Sequence, residues 1–182
     1  MYYEPDSIEI NNRKFEKLYS FETLQARVEE LAKRINRDYA GQTLEIVVVL
    51  TGAMPFAMEL IKFLNLDVRV RTISAKSYGA AMESSGKVNI GSSDLKLLGE
   101  NVLIVEDIVD SGRTMHTLTA KLRQNNPKSI EIATLFLKPK KLEFPVAAKY
   151  VGFEIGPEFV VGFGLDYNEQ GRQYSAIYCL AD

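Results

Sequence analysis

Apolar residues recur along this chain at two alternating spacings. Phe21, Leu24, Val28, Leu31 and Ile35 stand three or four residues apart. This spacing predicts an amphipathic helix that starts after Ser20, a good N-cap, and stops by Gly41. Residues 46–50 are an unbroken, largely β-branched apolar run, as in a central strand. Thr51, Gly52 and Ala53 follow, and Pro55, at a first helical position, opens a helix carrying Phe56, Leu60 and Leu64. Residues 68–73 alternate apolar side chains with Arg and Thr, which predicts a half-exposed strand. Residues 102–105 predict a short buried strand, and Met115, Leu118 and Leu122 a helix ending near Asn125, Asn126 and Pro127. Residues 130–137 form a further apolar strand that ends at Lys138, Pro139, Lys140 and Lys141. Short β-like pieces with Gly and Pro between them complete the chain, while residues 1–19 predict no definite element.

Apolar strands alternating with helices imply an α/β fold with a parallel sheet flanked by helices. Ligands of such sheets bind beyond the C-terminal strand ends. Thr51, Glu106 and Lys138 all fall at such ends, so three strands deliver polar groups to one edge. Residues 75–93, rich in Gly, Ser and Ala, form a long connection of weak structure, which predicts a functional or disordered loop.

The chemistry concentrates in residues 102–115, VLIVEDIVDSGRTM. A strand tip is followed by the acids Glu106 and Asp107, a third acid Asp110, the small polar loop Ser111, Gly112, Arg113 and Thr114, and a helix start. Loop N–H groups at a helix N-terminus suit a phosphate. Carboxylates suit sugar hydroxyls or a hard cation such as Mg²⁺. The plainer alternative is a helix-capping turn with solvated acids. The chain has no G-x-x-x-x-G-K-[ST] loop, and Gly162-Phe163-Gly164 lacks the third glycine of a dinucleotide fingerprint.

Composition narrows the partners. A chain of 182 residues, 46% hydrophobic and 25% charged, suits one globular domain. A net charge of −2 offers no electrostatic case for nucleic acid. Cys179 is the only cysteine, so no intrachain disulfide or cysteine-based zinc site is possible. No apolar run approaches the ~20 residues of a membrane span, and residues 1–10 lack a basic-then-apolar leader pattern. A cytoplasmic protein without membrane partners is expected.

The string at 102–115 resembles the phosphoribosyl-pyrophosphate (PRPP) motif of the type I phosphoribosyltransferases, in particular the hypoxanthine-guanine phosphoribosyltransferases. Residues 76–78, Lys-Ser-Tyr, resemble that family's mobile catalytic loop, and residues 151–172, VGFEIGPEFVVGFGLDYNEQGR, its purine-binding region. The resemblance runs from about residue 25 to the end. It implies a single domain over 1–182, with a small hood built from residues near 1–20 and 139–182. It also implies a Mg²⁺-dependent transfer of phosphoribose from PRPP to a 6-oxopurine base, with release of pyrophosphate, in a homo-oligomer, dimer or tetramer.

Roles follow residue by residue from the resemblance. Glu106 and Asp107 would face the ribose hydroxyls and a Mg²⁺ shell, and Asp110 would take the purine proton as general base. Ser111, Gly112 and Thr114 would hold the 5′-phosphate, with Arg113 either joining them or solvated. Lys138 would donate to the purine 6-oxo group, Phe159 would stack on the base, and Val160 would offer backbone groups to its edge. Asp166 would hold a second Mg²⁺, and Arg172 would meet pyrophosphate. Ser77 and Tyr78 would belong to a lid over the site. The family's usual Lys before Gly in the first pyrophosphate loop is replaced here by Thr51. Backbone amides of residues 51–53 are expected to make that contact, with Gly52 allowing an unusual backbone such as a non-proline cis bond. The lone His116 is given no role.

Two other functions fit the same fold. One is a transcriptional regulator or RNA-binding protein that keeps the PRPP loop as a sensor, which the net charge disfavours. The other is an enzyme with xanthine as its main substrate. Sequence alone does not rank hypoxanthine, guanine and xanthine.

Overall fold

The computed structural model describes residues 3–77, 88–90 and 96–181. The chain opens with a hairpin, β1 (Ser7–Ile10) and β2 (Arg13–Tyr19), followed by α1 (Phe21–Asp38), β3 (Thr43–Leu50), α2 (Met54–Lys62), β4 (Asp67–Ser77) and β5 (Val88–Ile90). It continues with β6 (Asn101–Val109), α3 (Arg113–Arg123), β7 (Ser129–Leu137), a 3-10 turn at Pro139–Lys141, β8 (Tyr150–Glu154), β9 (Val160–Val161) and β10 (Ile177–Leu180).

The apolar runs form a six-stranded sheet in the order β5-β4-β3-β6-β7-β8. Its strands β4, β3, β6, β7 and β8 are parallel, and β5 pairs antiparallel with β4. The periodic residues of α1 (Phe21, Leu24, Val28, Leu31 and Ile35) are all buried, and Ser20 accepts a hydrogen bond from the Thr23 N–H as the predicted N-cap. α1 and α2 pack with one face of the sheet, through Leu44, Ile46, Val48, Leu103 and Val105. α3 packs with Val47, Val49, Val102 and Ile104. A strand buried on both faces must be apolar at every position, which explains the unbroken runs.

A second, four-stranded antiparallel sheet has the order β1-β2-β10-β9. Its own small core is Ile8, Ile10, Phe15, Val161, Ala176 and Tyr178. The segment after Lys138 first contributes β8 to the main sheet, and its later strands then join the small one.

Two expectations are corrected. The strand expected at 102–105 runs on to Val109, so Glu106 and Asp107 lie within β6 and do not follow it. The weakly structured connection expected at 75–93 contains β4 up to Ser77 and β5, whose pairing Ala75↔Ile90 to Ser77↔Val88 continues the sheet upward. The free edge of β4 needs backbone partners there, and the chain's own return supplies them.

The outer strand β8 is tied down from the helix side. Arg27 on α1 donates from Nε to the Gly152 carbonyl at 2.6 Å and from Nη2 to the Val151 carbonyl at 3.2 Å. Hydrogen bonds from a charged donor contribute about 1.5–3 kcal/mol, less when partly exposed. Arg27→Met keeps the apolar stem and removes both bonds. It is expected to lower unfolding free energy by about 1–2 kcal/mol in urea denaturation; an unchanged midpoint would show that these two bonds add nothing to the edge.

Candidate active site

β3 and β6 run side by side only as far as Val48↔Val105. Beyond it β3 continues with β4, through Leu50↔Ser74, and β6 with β7, through Val109↔Leu137. Strand order also reverses between β3 and β6, the place where open α/β sheets bind ligands. Glu106 and Asp107 stand in the crevice so opened. Glu106 is buried and Asp107 half-buried. Burial, then the charge of Asp107, pushes the Glu106 carboxyl well above the usual range; burial also raises Asp107, against the pull of its hydrogen bonds and of the Arg172 charge.

The loop after β3 closes onto this pair. The peptide bond Leu50–Thr51 is cis, one bond before Gly52. A Cβ on Gly52 would overlap the Asp107 carboxylate and have to displace it. The Gly52 carbonyl in turn lies where a Cβ of Gly164 would be, and Gly164 has φ +100°. Arg172 donates from Nη1 to the Gly164 carbonyl at 2.6 Å and pairs through Nη2 with Asp166. The other Asp166 oxygen accepts from the Glu169 N–H at 2.8 Å. Thr51, Gly52, Asp107, Asp166 and Arg172 thus meet, although they come from three parts of the chain.

Two helices begin at this edge, and neither has a side-chain cap or an acid in its first turn. α2 starts after Ala53 and α3 after Gly112, which has φ +81°. At the start of α2 the Ala53 N–H donates to the Val49 carbonyl (3.3 Å) and the Met54 N–H to the Thr51 carbonyl (3.2 Å), and Pro55 has none; at the start of α3 the Arg113 N–H donates to Ser111 Oγ at 3.4 Å. The Ser111 carbonyl accepts from the N–H groups of Glu143 (2.9 Å) and Phe144 (3.1 Å), so the segment after the 3-10 turn braces the loop. A Cβ on Gly112 would come within 2.7 Å of the Phe144 carbonyl. Ser111 and Thr114 are half-buried beside it. Arg113 turns its guanidinium to Glu143 (3.3 Å) and over the Phe144 ring (5.2 Å to the centroid). That geometry leaves Arg113 its backbone N–H for the loop.

Asp110 opens the loop. Lys138, 4% exposed, lies with Nζ 3.5 Å from Asp110 Oδ2, and Lys141 donates to the same oxygen at 3.2 Å. Burial lowers the Lys138 ammonium, opposed chiefly by Asp110. Phe159 leaves 40% of its surface exposed, its ring edge-on to Tyr167 at 5.5 Å. The Phe159 carbonyl accepts from the Leu180 N–H, toward β10. Strand residues alternate, so the N–H and carbonyl of Val160 face the free edge of β9. His116 lies on α3 against Phe144, with ring centroids 5.5 Å apart.

The crevice therefore gathers Thr51, Gly52, Glu106, Asp107, Asp166 and Arg172, and Asp110 and Lys138 form the pair beside it. Ser77 is the last residue of β4, and Tyr78 lies outside the described residues. Sequence reasoning missed Lys141, the Gly164 contact and the brace from residues 143–144. The spacing of Lys138 and Lys141 around Pro139 was the one available signal. Among the described residues, no three His, Cys, Asp or Glu side chains gather as a metal-binding group, and no helix is long and apolar enough to cross a membrane.

The phosphoribosyl transferase domain matches residues 16–168. The chain belongs to this family. Among phosphoribosyl transferases, it is 40% identical over 167 residues to a hypoxanthine-guanine phosphoribosyltransferase of Mycobacterium bovis, covering 88% of this chain and 83% of that protein. It is 39% identical over 156 residues to one from Streptococcus thermophilus, covering 85% of this chain and 87% of the relative. The crystal structure of a hypoxanthine-guanine phosphoribosyltransferase from Bacillus anthracis superposes with a TM-score of 0.85 at 40% identity, over 91% of this chain and 98% of that one. The parallel sheet, the flanking helices and the small antiparallel sheet are those of the type I phosphoribosyltransferase fold.

The acid pair has a consequence for stability. In the unfolded chain such carboxyls titrate near about 4, and in the fold both are raised. Stability from a raised group is complete below its unfolded pKa and is lost as pH rises through the folded one. Glu106→Gln removes one ionisable group. Its melting temperature relative to wild type, measured metal-free with chelator, is expected to climb as pH rises above about 4, the unfolded carboxyl value. A difference that stays flat with pH would contradict a shared buried charge.

Proposed function

We propose that this chain works in purine salvage, moving the phosphoribosyl group of PRPP onto hypoxanthine or guanine to give IMP or GMP and pyrophosphate. The observation that carries the reading is the buried acid pair set between two uncapped helix N-termini, with the Asp110–Lys138 pair beside it. One loop suits each end of PRPP: residues 51–53 the pyrophosphate, assisted by Arg172, and residues 111–114 the 5′-phosphate. Glu106 and Asp107 then face the ribose hydroxyls between them.

In the transfer a purine ring nitrogen bonds to the anomeric carbon while the bond to pyrophosphate breaks, its electron pair leaving with pyrophosphate. Asp110 accepts the proton released by the purine. Lys138 donates to the 6-oxo oxygen, Phe159 offers its exposed ring to the base, and Val160 its free backbone groups. Much of the acceleration comes from holding the reactants in line, because little covalent work falls to the protein.

A Mg²⁺ ion fits this donor set. Burial raises both acids and Asp107 raises Glu106 further, a cost that a cation would relieve, and Mg²⁺ commonly takes only one or two protein carboxylates, with phosphate oxygens and water completing its shell. Glu106 and Asp107 would hold that ion at the ribose, and Asp166 would hold a second one at the pyrophosphate. Bound there, it would neutralise charge on the leaving pyrophosphate. A homo-oligomer belongs to the same reading: α2 leaves Met54 and Met58, one turn apart, 48% and 58% exposed, an apolar surface that suits a second copy.

Incubation with PRPP, Mg²⁺ and a panel of purine bases tests the reading, through the nucleotide formed. Asp110→Asn keeps the shape and removes the base, and turnover is expected to fall ~10²–10⁴-fold with PRPP binding retained. Near-normal turnover would remove Asp110 from its role.

Base choice follows from Lys138, which has donors and no acceptor. The 6-amino group of adenine would set donor against donor at a buried site, and such a mismatch is rejected by up to ~10⁴-fold. Adenine is therefore expected to be a very poor substrate, and Lys138→Ala to impair 6-oxopurine use far more than PRPP binding. Efficient conversion of adenine by the wild-type chain would overturn the assignment.

A further inference from the structure

Lys138 and Lys141 flank Pro139 and Lys140, and the turn between them is 3-10, closed by the Lys141 N–H donating to the Lys138 carbonyl at 3.0 Å. Side chains three residues apart eclipse in a 3-10 turn. Both ammonium groups consequently reach one atom, Asp110 Oδ2, at 3.5 and 3.2 Å. Lys140 falls off that face and is exposed. Lys138 and Lys141 differ in setting: Lys138 is buried and Lys141 is 43% exposed at its side chain. An ion pair as exposed as Lys141–Asp110 adds little to stability, so fold stability alone gives a poor account of it.

We infer that Lys141 is a positioning residue for the proposed transfer: it pins Oδ2 of Asp110 so that Oδ1 faces the purine. This rests on the reading of Asp110 as the group that takes the purine proton. An aspartate carboxylate turns through a broad torsional well, so a single anchored oxygen decides where the other points. Lys138 is the weaker anchor, because its Nζ stands at an ion-pair distance of 3.5 Å while Lys141 donates at 3.2 Å, and one of its donors would turn to the purine oxygen once a base is bound. Lys141 has no such second duty, and the brace of residues 143–144 on the Ser111 carbonyl fixes the chain just beyond it.

The test compares Lys141→Met, Lys141→Arg and Lys140→Met in wild-type and Asp110→Ala backgrounds. Nucleotide formation is followed with enzyme in excess over PRPP, so that even a ~10⁴-fold slower variant is read. Lys141→Met is expected to lower kcat about tenfold, the scale of a misplaced catalytic group, with KM for PRPP and the melting temperature unchanged. Lys141→Arg should recover most of the loss, and Lys140→Met should match wild type. In the Asp110→Ala background Lys141→Met should add nothing, since the carboxylate it positions is gone. A Lys141→Met variant within twofold of wild type would overturn the inference. So would a failure of arginine to rescue, or a full tenfold loss that persists without the Asp110 carboxylate. A wild-type chain that forms no nucleotide from any purine would instead sink the transferase reading, and the role of Lys141 with it.

Discussion

Glu106 and Asp107 occupy the point where β6 separates from β3, a place with too little water to solvate two negative charges. Neighbouring structure answers that cost in several ways. The Asp107 carboxylate accepts the Ile108 N–H at 2.8 Å and feels the Arg172 charge, and the backbone of Gly52 lies against it where any side chain would collide. Remaining relief has to come from whatever enters the crevice: a hydroxyl that donates, a cation, or a proton. Stability and ligand binding therefore pull on the same two side chains. A fold that keeps such a pair accepts a less stable empty state in return for a strong demand for its ligand.

Backbone and glycine build the surroundings of that pair. Gly52 stands against Asp107, Gly164 against the Gly52 carbonyl, and Gly112 against the Phe144 carbonyl. At each contact a Cβ would hold the chains apart. This economy explains how Thr51 can stand where relatives of this kind are expected to have lysine. The loop reaches its neighbours through peptide groups and an uncapped helix start, so the side chain at that position has less to do.

Helix α1, the apolar strands of the parallel sheet and the start of α3 were legible because each rests on local pattern: a 3.6-residue period, an apolar run, a glycine before a helix. Less legible were features set by partners far along the chain. Nothing in residues 102–110 says that β7 would keep pairing past Val105 and carry the acids into the strand. The hairpin β1–β2 did leave a sign, since Asn11 and Asn12 take positive φ between alternating Ile8, Ile10 and Phe15, a pattern that favours a tight turn. Arg113 looked like a phosphate ligand by position alone, but Glu143 and Phe144, thirty residues on, claim its guanidinium. Roles carried by side-chain direction were the hardest to read, and contacts between distant loops decide that direction.

The two sheets have to be placed accurately against each other for the proposed chemistry to work. Phe159 and Val160, the residues proposed to meet the base, stand at the start of β9, and the turn after it carries Gly164, which rests on Gly52 in the loop at the other end of the crevice. Phe163 and Leu165 sink into the core shared with α1 and α2, and Arg172 closes the turn onto the Gly164 carbonyl. A purine held by the small sheet and a pyrophosphate held by the large one would thus be set apart by a distance that close packing fixes, with no flexible linker between them. Bringing an attacking nitrogen and a leaving group into line is worth several kcal/mol only if the frame does not give. Here the frame is a backbone-to-backbone contact between two glycines, and a contact without side chains has no rotamers through which to yield.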